Sequence, residues 1–155
     1  MSFREIYTNE YHHIYNRGVD KRIIFIDQGD YQRFWDGLHV FNDPKDLSQQ
    51  SFQRRKNKPT AEYPFVDVCA ATLIQNHYHL VLKQNADGGI SEFMKKIGLG
   101  YTHYFNRKNK RKGRLFEGPY ESRLINNEAY LLHISRYLHL NPLDLIDIPW
   151  KKIGI

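Results

Sequence analysis

The chain has 155 residues, of which 14% are aromatic, and carries 23 Lys and Arg against 17 Asp and Glu, a formal net charge of +6. That length suits one domain with a real hydrophobic core, and the single cysteine, Cys69, excludes an intrachain disulfide and a Cys-rich zinc site. No apolar run approaches the length of a membrane span, and Met1-Ser2-Phe3-Arg4-Glu5 does not open a signal peptide, so a cytoplasmic protein with no membrane partner is expected. Basic charge interleaved with eleven tyrosines suits a phosphate-bearing partner and stacking on single-stranded bases, although charge alone fits equally a protein that simply stays soluble.

Tyr11-His12-His13-Ile14-Tyr15-Asn16-Arg17 reads as a strand ended by Gly18. After the short apolar segment Ile23–Ile26, Asp27 or Asp30 caps a helix to about Phe41, with Tyr31, Phe34, Trp35 and Leu38 near helical spacing. Residues 42–64 are polar and hold the basic run Arg54-Arg55-Lys56-Asn57-Lys58-Pro59; they read as a mobile loop with room for a short helix. Phe65 to about Ala71 and Thr72 to Lys83 are two strand-like stretches or one long bent strand, with Cys69 expected in the core. Beyond Asp87-Gly88-Gly89, Ser91 is expected to cap a helix to about Asn106 whose apolar face is Phe93, Met94, Ile97, Tyr101, Tyr104 and Phe105. Tyr120–Ile125 is strand-like, and Asn126 or Asn127 caps a last helix that Asn141-Pro142 ends. No repeat and no second domain are visible in residues 1–155. Strands and helices alternate without an all-parallel rhythm, so the expected class is α+β, with helices on one face of an antiparallel sheet.

Two short stretches carry the chemistry. In Leu73-Ile74-Gln75-Asn76-His77-Tyr78-His79-Leu80-Val81-Leu82, strand alternation points His77 and His79 to one face and Tyr78 to the other. Two such imidazoles are a ready pair of metal ligands, or else satisfied histidines of a half-buried strand. On the last helix, Leu131, Ile134 and Leu138, with Leu145, supply a core stripe, while His133, Tyr137 and Asn141 recur at intervals of four as a polar ridge. Laid across the sheet, that ridge could lie beside the strand histidines. Tyr137 offers a phenolic nucleophile whose phosphotyrosine ester would keep the energy of a broken phosphodiester, and Asn141 a neutral amide oxygen as a third ligand. The same helix read alone is an ordinary amphipathic helix with a surface tyrosine, so the helix does not decide the matter.

Asn76-His77-Tyr78-His79-Leu80 resembles the HUH motif (His, bulky apolar residue, His) of the single-tyrosine transposases that act on single-stranded DNA. Arg136-Tyr137-Leu138-His139-Leu140-Asn141-Pro142 resembles their C-terminal helix motif, in which the nucleophilic tyrosine precedes an amide-bearing metal ligand by four residues. Tyr15-Asn16-Arg17-Gly18 is similar to their first strand and turn, and Tyr104-Phe105-Asn106-Arg107, Gly113-Arg114-Leu115-Phe116-Glu117-Gly118 and Tyr120 to the segment between the catalytic motifs. The likeness runs in order over nearly the whole chain and is nearest to the REP-associated tyrosine transposases. Tyr78 is a less apolar middle residue than is usual there, and Pro119 stands where a basic residue is usual.

The resemblance implies a ferredoxin-like α+β fold and a divalent metal, Mg²⁺ or Mn²⁺, at His77, His79 and Asn141. It implies attack on DNA by Tyr137, leaving a 5′-phosphotyrosine and a free 3′-hydroxyl, with hairpin-containing single-stranded DNA as the partner. A homodimer is compatible with it, because some members exchange the C-terminal helix. With that family in view, the basic run at 107–114 is expected to contact phosphate through Arg107, Lys108, Lys110, Arg111, Lys112 and Arg114, with Tyr104 stacking nearby and Arg17 approaching the backbone beside Gly18. His12, His13, His103 and His139 have no such support and are expected to be structural or at the surface. The rival readings are a domesticated hairpin-binding protein that mobilises nothing, a metal hydrolase using water, and an RNA-binding module needing no metal.

Overall fold

A computed structural model describes residues 9–140 of the protein. Four strands, β1 (Tyr11–Arg17), β2 (Val66–Ile74), β3 (His77–Gln84) and β4 (Glu121–Ile125), form one sheet in the order β2-β3-β1-β4. Every neighbouring pair is antiparallel. The helices are α1 (Gln28–Val40), α2 (Phe52–Lys56), α3 (Gly89–Lys108) and α4 (Glu128–Leu140). Setting aside the short α2, the order β1-α1-β2-β3-α3-β4 is the ferredoxin-like split βαβ arrangement, followed by one extra helix.

Alternation along the strands divides the molecule into two cores. Ile14, Tyr78, Leu80 and Leu82 turn towards α1 and α3 and pack with Phe34, Leu38, Phe93, Met94, Ile97, Tyr101 and Phe105. Val81 and Ile125 turn the other way, where Ile134, Tyr130 and Leu131 of α4 cover them. The expectation of helices on one face is therefore corrected: α4 lies on the face opposite α1 and α3. The cause is legible in β3, where His77 to Leu82 are all buried; a strand covered on both faces loses the alternation of apolar and polar residues.

Local chemistry explains the element ends. Asp27 Oδ1 accepts from Asp30 N at 3.1 Å and caps α1, and Asn127 Oδ1 accepts from Tyr130 N at 2.7 Å and caps α4. The start of α3 differs from expectation: it begins at Gly89, not after Ser91. Gly88 supplies the left-handed conformation (φ 73°) ahead of it, and Gln84 Oε1, from the end of β3, accepts from Ile90 N at 3.0 Å. The break in the hairpin likewise falls at Gln75-Asn76 instead of near Ala71. Cys69 sits at a register shift between Val68 and Ala70 and is exposed, so it is not the core residue expected; a bulge re-aims the side chain it carries.

The 42–64 segment, expected to be a mobile loop with room for a short helix, contains the short helix α2, which contacts α1. Arg33 stacks over the Phe52 ring at 3.5 Å, Lys56 meets Asp36 at 3.1 Å, and Arg55 Nη2 donates to Val40 O at 3.1 Å. Three segments singled out by sequence also converge at one end of the sheet. Gly18 N donates to Asn76 O at 2.9 Å, Glu117 N donates to Arg17 O at 2.8 Å, and Gly18 forms a bridge with Phe116. A Cβ on Gly18 would stand 2.3 Å from Arg22 O, so this crossing requires glycine.

Candidate active site

The register of the two central strands assembles the site. On β3 and β1, His77 pairs with Arg17, His79 with Tyr15, and Val81 with His13. Directly opposed residues share a face, so His13, Tyr15 and Arg17 line up with His77 and His79. Tyr78 points into the other core at 1% exposure, as alternation requires. Over the histidine face lies α4, brought there by the burial of Ile134 and Leu131.

The ring nitrogens are engaged in an ordered way. Asn76 Oδ1 stands 2.7 Å from His77 Nδ1. An amide oxygen accepts, so Nδ1 is the protonated nitrogen and Nε2 carries the lone pair. His79 Nδ1 lies 2.9 Å from His13 Nε2, and His13 Nδ1 lies 3.2 Å from the Tyr130 hydroxyl. The His77 and His79 rings stand edge to face with centroids 5.1 Å apart, and Tyr15 flanks His13 and His79 at 5.0 and 5.9 Å. Burial, reinforced by the Arg17 charge, pulls the His77 imidazole down to about 4. Burial and Arg123 do the same to His13, to about 4. Burial, followed by the neighbouring His13 and His77, holds His79 well below its ordinary value. At neutral pH all three are uncharged imidazoles, the form that binds metals.

This donor set fits a divalent metal through His77 and His79. Among the described residues no group of three or more His, Cys, Asp or Glu completes a cluster. Asn141 lies outside the described residues, and Tyr137 is described only as part of the last turn of α4. His133, on the same helix, is exposed. Sequence reasoning missed His13 and Tyr130. Alternation along β1 puts His13, Tyr15 and Arg17 on one face, but the cross-strand register that brings them to the histidine pair is a tertiary fact.

The residues expected to meet DNA separate into two groups. Arg107, Lys110, Lys112 and Arg114 are exposed around the end of α3. The others have structural engagements. Lys108 Nζ meets Asp27 at 2.6 Å and the buried Asp30 at 2.8 Å, and Tyr104 donates to the same Asp30 carboxylate at 2.9 Å. Arg111 Nη1 donates to Asn106 Oδ1 at 2.5 Å, and Arg17 pairs with Glu117 at 2.7 Å. A cleft of about 760 Å³ opens between α3 and the 113–120 segment, lined in part by Asn16, Tyr78, Lys95, Arg114 and Tyr120. It lies on the Tyr78 side of the sheet, opposite the face of His77 and His79.

No protein-family model matches the sequence, and no curated protein matches it either. Solved structures do match in fold. A REP-associated tyrosine transposase bound to a REP hairpin superposes with a TM-score of 0.53 at 13% identity, over 92% of this chain and 73% of that one. A candidate transposase from Deinococcus radiodurans R1 superposes with a TM-score of 0.50 at 14% identity, over 90% of this chain and 96% of that one. At such identities the likeness establishes the shared α+β fold.

Proposed function

We propose that the protein is a metal-dependent, single-stranded DNA strand transferase of the transposase type, acting at hairpin-associated sites through a tyrosine nucleophile. One observation carries the reading: the paired histidines of Asn76-His77-Tyr78-His79 lie buried on one sheet face, under the helix that contains Tyr137. The fold shared with a hairpin-bound transposase supports it.

In this reading His77 and His79, with Asn141, hold Mg²⁺ or Mn²⁺. The bound ion would supply Lewis-acid neutralisation of charge on the scissile phosphate. Tyr137 attacks phosphorus through its phenolic oxygen; the new P–O bond forms as the bond to the 3′-oxygen breaks. The phenol gives up its proton as it attacks, the 3′-oxygen takes up one proton and leaves as a hydroxyl, and the 5′-phosphate stays on the tyrosine. A DNA 3′-hydroxyl then resolves the ester by the reverse displacement. Asn76 keeps the His77 lone pair on Nε2 throughout.

The test is incubation with labelled single-stranded hairpin DNA and Mg²⁺, followed by a denaturing gel. The wild type is expected to give a covalent adduct and cleaved DNA. Tyr137→Phe should reduce both to background while hairpin binding stays nearly unchanged. His77→Ala and His79→Ala should lose cleavage and metal binding together, and EDTA should silence the wild type until Mg²⁺ or Mn²⁺ is restored. Cleavage without an adduct would indicate a hydrolase using water. Hairpin binding without cleavage or metal dependence would indicate a domesticated binding protein. An adduct on Tyr137→Phe would move the nucleophile to Tyr130 or Tyr120.

A further inference from the structure

The two histidines of the strand pair are supported differently. Asn76 Oδ1 holds His77 directly, by one hydrogen bond of 2.7 Å. His79 is held by a chain of two: its Nδ1 meets His13 Nε2 at 2.9 Å, and His13 Nδ1 meets the Tyr130 hydroxyl at 3.2 Å. His13 is fully buried at 0% exposure, and its ring stacks on that of His79 with centroids 5.1 Å apart. The three residues come from β1, β3 and α4, so the chain stitches both central strands to the covering helix.

Such a chain has two internally consistent proton arrangements. In one, the Tyr130 hydroxyl donates to His13 Nδ1, His13 Nε2–H donates to His79 Nδ1, and the remaining proton of His79 occupies Nε2. In the other, every bond runs in reverse: His79 Nδ1–H donates to His13 Nε2, His13 Nδ1–H donates to the Tyr130 oxygen, and the lone pair of His79 is on Nε2. Only the second leaves His79 Nε2 able to ligate a metal. We propose that His13 is the positioning residue that sets the tautomer and ring orientation of His79 for metal binding, with Tyr130 as the terminal acceptor of the chain. This inference rests on the assignment of His79 as a metal ligand. It adds two residues to the site, and it explains why a histidine without motif support is buried between two strands.

Outer residues of this kind are worth about 10–100-fold in metal affinity. Mn²⁺ binding to the full chain, followed by calorimetry and by the electron paramagnetic resonance of free Mn²⁺, is compared for the wild type and four variants, and thermal unfolding is recorded for each. His79→Ala should abolish binding at that site. His13→Leu, which keeps bulk but accepts no hydrogen bond, should weaken Mn²⁺ about 10–100-fold. His13→Gln carries an amide oxygen at about the reach of Nε2 and should recover most of that loss. Tyr130→Phe should weaken binding by less than His13→Leu, because His13 can still accept from His79.

A purely structural role for His13 would lower the melting temperature of the Leu and Gln variants without separating their metal affinities. Equal affinities of these two variants, or wild-type affinity in His13→Leu, would overturn the proposal while leaving His79 as a ligand. Wild-type affinity in His79→Ala would overturn the ligand assignment itself, and this inference with it. Nitrogen chemical shifts of the imidazole rings give a readout independent of metal. Apo wild type should hold His79 protonated on Nδ1, and His13→Leu should shift it towards the Nε2-protonated form. An unchanged tautomer would also overturn the proposal.

Discussion

His13, His77 and His79 are an unusual trio to bury together, and the cost should be visible in the pH dependence of stability. Each has its folded-state value pulled down by burial, to about 4 for His13 and His77 and well below the ordinary value for His79. The unfolded chain takes up these protons near 6.5. Between 6.5 and 4 the unfolded state therefore binds more protons than the folded state, and stability falls as pH falls. Above 6.5 the contribution is complete and constant. Each histidine adds a slope of up to about 1.4 kcal/mol per pH unit inside that window. Urea unfolding of the metal-free protein in EDTA at pH 7, 6 and 5 should show this decline, and His77→Gln should flatten it. A profile level from pH 7 to 5 would mean that the histidines are not held neutral in the interior. Asp27, lowered chiefly by its hydrogen bond from Lys108, titrates below this window and does not confuse it.

At the scale of elements, α1 and α3 are locked by a polar anchor inside an otherwise apolar interface. The buried Asp30 carboxylate accepts from Ile26 N at 2.9 Å, from Tyr104 at 2.9 Å and from Lys108 at 2.8 Å. Lys108 was grouped by sequence with its neighbours Lys110 and Lys112, yet the fold gives it a different task. Lys108→Met leaves the buried carboxylate without its cation, an uncompensated charge that destabilises; because Lys108 is partly exposed, about 1–2 kcal/mol is a reasonable loss, or roughly 2–8 °C. Lys110→Met and Lys112→Met should change the melting temperature by less than about 1 °C, since surface substitutions without partners are nearly neutral. Calorimetric scans of the three variants side by side decide this. An equal response would mean that the Asp30 anchor contributes nothing to stability.

Over the whole molecule, the net charge of +6 is distributed around a sheet whose two faces do different work. One face builds the larger core with α1 and α3, and the other is given to the histidines under α4. The exposed cations Arg107, Lys110, Lys112 and Arg114 cluster at the end of α3. If they neutralise phosphates, affinity for single-stranded hairpin DNA should fall by roughly 0.7 logarithmic units per contact for each tenfold rise in salt. Replacing Arg107, Lys110, Lys112 and Arg114 together should flatten that slope, while the cleavage rate at saturating DNA stays close to wild type. Lys108 is left in place so that the fold is not disturbed. Equal slopes in a salt titration would reduce the cluster to a solvated turn and send the search to Arg17 or to Arg54, Arg55 and Lys56.

Where a residue's fate depends on its own neighbours in the chain, the sequence was enough. Asp27 caps α1 and Asn127 caps α4, and His77 and His79 share a face because side chains alternate along a strand. The α+β class follows from the order of elements, and resemblance of short motifs anticipated the ferredoxin-like arrangement. What needed the tertiary structure was everything set by register and by layers. Gln84 caps α3 from another element, Cys69 is turned outward by a bulge, and Lys108 is drawn to a carboxylate some eighty residues away. The placement of α4 opposite the other helices is of the same kind, because a strand buried on both faces does not announce which helix covers which. His13 belongs here too: its place beside His79 depends on a cross-strand register in which a slip by one residue would send it to the opposite face.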